Sequence, residues 1–500
     1  FYAPITTAGK AIVIRSVNGA QKTIIDGKGV ARCATLGDYG SERKTVLEGF
    51  TLQNGCADKG GGACGGTLRH CTLTNNGSSE LMWHGQYFNF DCEQGGGAYD
   101  CTLSHCLVQN NNAEIGGGAY ECVMDNCVLA NNSAGDEDDY ESRGGGAWKS
   151  VLALCVLTGN QANYGGGACD SELLSCLLTG NQAEYGGGAC DSLLVNCTVT
   201  ENHADSSGGI AASYKGIRDS TAFNCIIWGN SAWTAANYDE DSNLSYSCSY
   251  PWASEGDGNI SRRAPIFVDA ANGDFRLRTG SPGIDAGNSE IFDFFEMLGI
   301  FEEFLEVDTD LAGNPRISGA KVDMGAYEGA VDGCVISGRV QGNGILSPMT
   351  AVAAQGDSIT FTATATRGAF QHFEVDGVVV SESPTYTWDN IQADGVITAV
   401  FAIVTWHVDA ARPDDSGDGL SWDTAKKTIQ AAIDRADDGD LILVKPGVYA
   451  PIVTDDKAIA IRSVNGAATT VIDGGGSQRC ATLSKSYYGR QTVLDGFTLR

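Results

Sequence analysis

The sequence predicts an all-β protein: a right-handed parallel β-helix solenoid, a small β domain, then the start of a second β-helix. Three observations predict it. Gly-Gly-Gly-Ala recurs from Gly60, Gly95, Gly116, Gly144, Gly165 and Gly186, and three of the five intervals are 21 residues. The other two, 35 and 28, are the same period with insertions of 14 and 7. A period near 20 without helical patterning marks rungs that stack as parallel strands. Composition agrees, since 66 glycines against 10 prolines punctuate short apolar stretches. That punctuation is an all-β pattern. Finally, strings near the two ends match at one offset.

The rungs align in columns counted from the first Gly of each. Column eight holds Leu68, Leu103, Met124, Leu152, Leu173 and Leu194. Column eleven holds Cys71, Cys106, Cys127, Cys155, Cys176 and Cys197; column thirteen holds Leu73, Val108, Leu129, Leu157, Leu178 and Val199. A spacing of two is the strand period, so both columns point inward. Column sixteen holds Asn76, Asn111, Asn132, Asn160, Asn181 and Asn202. Stacked amides about 4.8 Å apart form a hydrogen-bonded ladder. Asn also tolerates the left-handed conformation of a sharp corner. Gly-Gly-Gly lets the chain turn where a Cβ would clash. Phe50 takes the Cys column one rung upstream, and Cys225 with Asn230 continues the pattern downstream past an irregular rung at Ser207-Gly208-Gly209.

The long repeat sets the domain order. Tyr2–Ile5, Ile14–Ala20, Arg32–Leu36 and Gly49–Leu52 recur 447 residues later as Tyr449–Ile452, Ile461–Ala467, Arg479–Leu483 and Gly496–Leu499. The expected domains are a β-helix over 1–330, truncated at its start, a small β domain over 332–402, and a cap with first rungs over 405–500, truncated at its end. The segment 264–330 closes the first helix. In the small domain Ile359, Phe361 and Ala363 alternate with polar residues. In the cap, Asp423–Ala436 reads as an amphipathic helix with Asp423 as N-cap and Ala425, Ile429, Ala432 and Ile433 on one face. Such a cap covers the unpaired end of a strand stack.

Net charge of −30 excludes nucleic acid as a partner, because phosphate binding needs basic patches. It also disfavours adsorption to anionic lipid, while an acidic solenoid can attract divalent cations. No run is apolar enough to span a bilayer, so membrane attachment would come only through segments beyond this window. Eighteen cysteines fit an oxidising, extracellular setting.

Several strings carry resemblances. Ser281–Gly287, Asp310–Arg316 and Asp323–Glu328, in that order, resemble the closing region of bacterial pectin-lyase-like β-helix proteins of the choice-of-anchor type. Phe373–Gly377 and Gly395–Phe401 resemble the divergent internalin-type B repeat of bacterial surface proteins, which implies a spacer or adhesive module. The Gly-Gly-Ala rungs resemble the polymorphic outer membrane protein repeat, with Cys replacing its Phe. Together they imply a secreted or cell-surface protein.

The rungs offer three sets of candidate side chains. Column five holds Asp100, Glu121, Lys149, Asp170 and Asp191. Its parity is opposite to the inward Leu column, so it should face solvent. Asp170 and Asp191, about 5 Å apart on adjacent rungs, with Lys149 nearby, are candidates for glycoside hydrolysis or lyase chemistry. Asp100 and Glu121, and Asp136 with Asp138 in an acidic insertion, are candidates for Ca²⁺; a solvated face is the plainer reading. No other cofactor is expected. Column four holds Tyr99, Tyr120 and Trp148, which could stack on sugar rings if exposed; its parity favours burial. The Cys column is either a row of disulfides or a stack of buried thiols, and the second is favoured. In-rung pairs Cys101–Cys106 or Cys169–Cys176 are the better disulfide candidates. The six histidines show no clustering in sequence.

Two functions compete. One is a monomeric, tandem-repeat adhesin or structural protein that binds polysaccharide or a host-surface ligand. The other is a polysaccharide lyase or glycoside hydrolase. Fold alone does not decide between them. The Gly-His-Gly string of polygalacturonases is absent, which leans against an enzyme.

Overall fold

In a computed structural model, the chain forms two compact units, residues 1–268 with 275–331, and residues 269–274 with 332–500. The structure describes all residues except 38–43, 78, 84–85, 91, 136–141, 212–219, 234, 251–255, 262, 293–294, 296–300, 302–306, 367–368, 438, 455–456 and 484–491. For 79–83 and 86–90 only the backbone is described.

The first unit is a parallel β-helix. Each rung contributes a short strand to each of three sheets, of nine, ten and ten strands. In one rung these are Ala98–Tyr99, Thr102–Ser104 and Leu107–Gln109. Pairing is parallel and in register, as in Leu103↔Met124 and Val108↔Leu129. The 14-residue insertion contains an antiparallel hairpin, Ser79–Trp83 with Gln86–Phe90.

The corners explain the short strands. Left-handed residues recur every five positions: Gly95, Asp100, His105 and Asn110 have φ of 66°, 50°, 53° and 53°. The same holds for Gly165, Asp170, Ser175 and Gly180. The residue after each corner turns back inward. Columns three, six, eight, eleven and thirteen therefore fill the core, as Ala98, Cys101, Leu103, Cys106 and Val108 do. Phe50 and Cys225 extend that core as expected.

The ladder is present, with one correction. Asn132 Nδ2 donates to Asn160 Oδ1 at 3.0 Å, and Asn160 Nδ2 donates to Asn181 Oδ1 at 2.9 Å. The same contact runs from Asn76 to Asn237. The left-handed corner, however, is the residue before the ladder: Asn75, Asn110, Asn131, Gly159, Gly180 and Glu201. The ladder amide must point inward to reach its neighbours, so a separate residue makes the turn.

The Cys column is a thiol stack. All 18 cysteines are free. Successive rungs link through backbone N–H to sulfur contacts of 3.4 Å, as from Cys106 N to Cys127 Sγ and Cys155 N to Cys176 Sγ. Each sulfur also donates to a carbonyl, Cys155 to Ala153 at 3.2 Å. Burial pushes the Cys155 and Cys176 thiols well up. They remain protonated and pack as small hydrophobes. Cys101 and Cys106 both join this core without a bond. The pair Cys169–Cys176 is ruled out by geometry. Cys176 faces the core, whereas Cys169 belongs to a separate cluster outside it.

The closing segment lies against the side of the helix. Its resemblance-bearing strings form one buried polar network. Arg316 Nη2 meets Glu328 Oε2 at 2.9 Å, Asp310 accepts from Asn314 N and Glu328 N, and Asp323 accepts from Asp285 N and Gly329 N. Corner residues of the helix receive it. Asn196 Nδ2 donates to Asp323 O at 3.0 Å, and Gly325 N donates to Asn224 O at 2.7 Å. Phe295 and Phe301 pack on Ala153, Leu174 and Val195.

In the second unit, Cys334–Gln341 lies between Thr350–Ala353 and Gly395–Phe401 in a five-stranded sheet. Ile336, Phe361, Phe373, Ile397 and Phe401 form its core, and Phe361 and Ala363 are buried as the alternation predicts. From Thr405 a second parallel stack begins. Its strands Ala460–Ser463, Thr470–Ile472 and Val493–Asp495 match Val13–Arg15, Ile24–Asp26 and Val46–Glu48 at the 447-residue offset, the first ending one residue later and the second lying one residue earlier. Local contacts repeat with them. The Ser16–Thr23 hydroxyl pair at 2.6 Å recurs as Ser463–Thr470 at 2.7 Å.

The cap helix is shorter than expected. It spans Ile429–Ile433, and its cap is Thr428, whose side chain accepts from Ala431 N at 3.2 Å. Asp423 falls in a separate 3-10 turn, Trp422–Thr424. Between them Lys426 pairs along the edge strand, with Lys426 N to His407 O at 2.9 Å, which keeps that stretch extended. The buried face is as expected: Ala425, Ile429, Ala432 and Ile433. Asp409 is held below the ordinary carboxylate range mainly by Lys445, whose Nζ is 2.7 Å away. A depressed carboxyl adds stability above its unfolded pKa of 3.8, and that stability is lost on acidification through the folded value. Carboxyl NMR titration should find Asp409 low, and Lys445→Met should return it upward.

Candidate functional site

The outward side of the first sheet gathers most of the candidate side chains. Column four leaves the Ala–Tyr strands pointing away from the core, because Ala98, Ala119 and Ala147 take the inward position. Simple alternation from the Leu column fails here, since the left-handed residue in column five lies between them. Tyr99 and Tyr120 are nonetheless buried, and Trp148 is half-buried. Tyr99 stacks on Tyr120 at 5.1 Å, and Tyr120 meets Trp148 edge-on at 4.7 Å. A sugar ring has no open aromatic face there. Lys59 sits 5.0 Å over Tyr99, and Lys149 sits 4.4 Å over Trp148.

The residue before each Gly-Gly-Gly supplies the rest of this wall. Tyr164 and Tyr185 stack at 5.2 Å, and Arg143 lies 5.3 Å over Tyr164. That column was not singled out from the sequence. Its mixed residues, Lys59, Gln94, Ile115, Arg143, Tyr164 and Tyr185, share only their place before the glycines.

Column five corrects the solvent-facing expectation. Asp100 and Asp191 are each 6% exposed, Glu121 and Asp170 are half-buried, and Lys149 alone is exposed. All five are left-handed corners, with φ between 47° and 50°. Asp191 is 4.0 Å from Arg143 Nη1, which reaches across two rungs. Among the described residues, one group of potential metal ligands converges: Cys169, Cys190 and Asp191, with ligand atoms within 4.8 Å of one another. Asp100 and Glu121 are not in it. Asp136 and Asp138 lie outside the described residues.

Two of the six histidines meet. His70 and His105 occupy column ten of consecutive rungs, with rings 5.1 Å apart. Their separation of 35 in sequence hides a one-rung separation in space. Both are exposed, and His105 is 3.9 Å from Asp125.

A polar groove of about 360 Å³ lies near the first rungs, lined by Asp26, Lys28, Asn54 and Asn75 with Gly29, Gly55 and Gly77. Asp26 accepts from Lys28 N at 2.9 Å, Asn54 Nδ2 at 3.2 Å and Gln53 Nε2 at 3.2 Å. Burial raises its pKa, and these three bonds together outweigh that and hold it low. The long repeat was the available signal, since Asp26 recurs as Asp473. There Arg500 takes the place of Gln53 and bonds the carboxylate at 3.0 Å.

No family model matches the chain, and no curated protein matches it. Solved structures do. The pectate lyase Pel9A is 12% identical with a TM-score of 0.34, over 65% of this chain and 82% of that one. A mutant of the PL6 family alginate lyase AlyGC is 11% identical with a TM-score of 0.32, over 94% and 65%. An alginate lyase from Paenibacillus sp. str. FPU-7 is 14% identical with a TM-score of 0.22, over 48% and 86%. The chain is a parallel β-helix protein, and its own strand pairing establishes this.

Proposed function

We propose that the chain is a non-catalytic β-helix repeat protein, displayed at a bacterial surface or secreted, with an adhesive or structural role and a groove that accepts carbohydrate. One observation carries the reading. The side chains that chemistry would need are committed to packing. The column-four rings are stacked and covered by cations, and Asp191 is buried beside Arg143. The recurrence of strands and contacts at an offset of 447 supports a tandem scaffold, which a catalyst does not require. The groove at Asp26 has the charged and amide lining that orients sugar hydroxyls.

A polysaccharide-cleaving reading draws on Arg143 beside Asp191, a cation next to a carboxylate. The test is turnover on pectin, alginate and related polymers with and without Ca²⁺. No cleavage is expected. Cleavage that disappears in Asp170→Ala and Asp191→Ala would overturn the proposal. In a glycan-binding assay, Asp26→Ala should weaken any retained polysaccharide.

A further inference from the structure

The string Gly-Gly-Gly-Ala-Cys-Asp-Ser occurs twice in succession, from Gly165 and from Gly186. At every other rung of the Gly-Gly-Gly-Ala run except the first, column four is an aromatic residue. Parallel pairing sets Cys169 directly against Cys190. Both thiols are fully buried, yet they lie outside the core, packed in a separate cluster with Trp148, Tyr164, Tyr185 and Ala211. The Asp191 carboxylate turns into the same space, and the three ligand atoms lie within 4.8 Å of one another.

We propose that Cys169, Cys190 and Asp191 form a structural site for a thiophilic divalent cation, zinc being the natural occupant. Tetrahedral zinc takes sulfur and carboxylate ligands at about 2.0–2.3 Å, which small rotamer changes in this cluster reach. Thiolate ligands select against Mg²⁺ and Ca²⁺, and the latter needs six to eight oxygens. Charge favours the ion as well. Two thiolates and one carboxylate carry three negative charges, which one divalent cation and the Arg143 guanidinium neutralise.

The inward Cys column differs from this pair. Its sulfurs bond backbone N–H and carbonyl groups rung by rung, and no carboxylate converges on them. A cross-rung disulfide is the rival state for Cys169 and Cys190, and the thiol count below separates the two.

The experiment uses the full chain, stripped with chelator under reducing conditions and titrated with Co²⁺, then Zn²⁺. One equivalent of cobalt should give thiolate-to-metal charge-transfer absorption and the visible bands of a tetrahedral site, and zinc should displace it. Cys169→Ala and Cys190→Ala should abolish the spectrum, while Cys176→Ala in the core should keep it. Asp191→Asn, which preserves shape, should weaken binding and alter the visible bands. Far-UV circular dichroism identifies variants that fold, and Asp191→Asn decides the matter if the alanine variants do not. The proposal is overturned if wild type gives no thiolate–cobalt band, or if the band survives unchanged in folded Cys169→Ala or in Asp191→Asn. It is also overturned if the protein as isolated shows two thiols fewer than its 18 cysteines, with the missing pair mapping to Cys169 and Cys190.

Discussion

Asn160→Ala should lower the stability of the β-helix by about 4 kcal/mol, read as a fall in the urea midpoint of its unfolding transition. Asn160 stands mid-ladder and is completely buried. Its Oδ1 accepts from Asn132 N and Asn132 Nδ2, both at 3.0 Å. Its Nδ2 donates to Leu129 O and to Asn181 Oδ1, both at 2.9 Å. Alanine leaves buried donors and an acceptor on the neighbouring rungs without their partner. Each stranded group costs about 1–3 kcal/mol at this fully buried position. A loss above 4 kcal/mol is rare for a single substitution and marks a broken buried network. The contrast is Asn110→Gly, one column earlier. Asn110 is an exposed left-handed corner, so glycine there should change stability by no more than about 0.5 kcal/mol. If the two variants behave alike, the ladder does not carry the load assigned to it.

The second large effect is expected at the third glycine of a rung. Gly146→Ala should destabilise by about 3 kcal/mol or more, and the same substitution at Gly118 or Gly167 should behave similarly. A Cβ on Gly146 would lie 2.5 Å from Gly167 O and 3.1 Å from the ladder amide of Asn160. The equivalent approach is 2.5 Å at Gly62, Gly97, Gly118 and Gly167. The blocking atom is a backbone carbonyl of the next rung, so no rotamer change relieves it. Overpacking a side chain costs about 1–3 kcal/mol, and a clash with backbone sits at or beyond the top of that range. Gly9→Ala is the control for spacing alone. Nothing lies within 4 Å of its Cβ position, so only the strain of its positive φ is felt.

Most of the core was legible because repetition amplifies a weak signal. A single Leu in column eight says little, but five leucines and Met124 at one offset from Gly-Gly-Gly mark a wall of the core. The ladder and the thiol stack were legible for the same reason. Parity failed wherever a corner intervened. Asp191 was placed in solvent and Tyr99 on the core side because alternation was carried through a left-handed residue that resets it. Contacts between rungs were the other gap. Arg143 reaches Asp191 from two rungs away, and His70 meets His105 across an insertion, so sequence distance concealed both. The cap helix began late because the backbone of Lys426 was claimed by an edge strand, which helical periodicity does not register.

Between Ala34 and Ile227, departures from the 21-residue spacing occur at two places in the rung; upstream, Ile14 and Ile25 are 11 residues apart where their partners Leu47 and Leu52 are 5 apart, a third place. In sequence, the extra residues lie between columns four and eight, around 38–43 and 212–219, or after column sixteen, around 78–91 and 136–141. Both places border the first sheet. The Asn ladder and the thiol stack lock adjacent rungs between those borders, so chain length can change there without re-threading any strand. The places where rungs already differ in length are therefore where added sequence should be tolerated best. Foreign peptides grafted into these stretches should leave the pairing of the flanking strands unaltered.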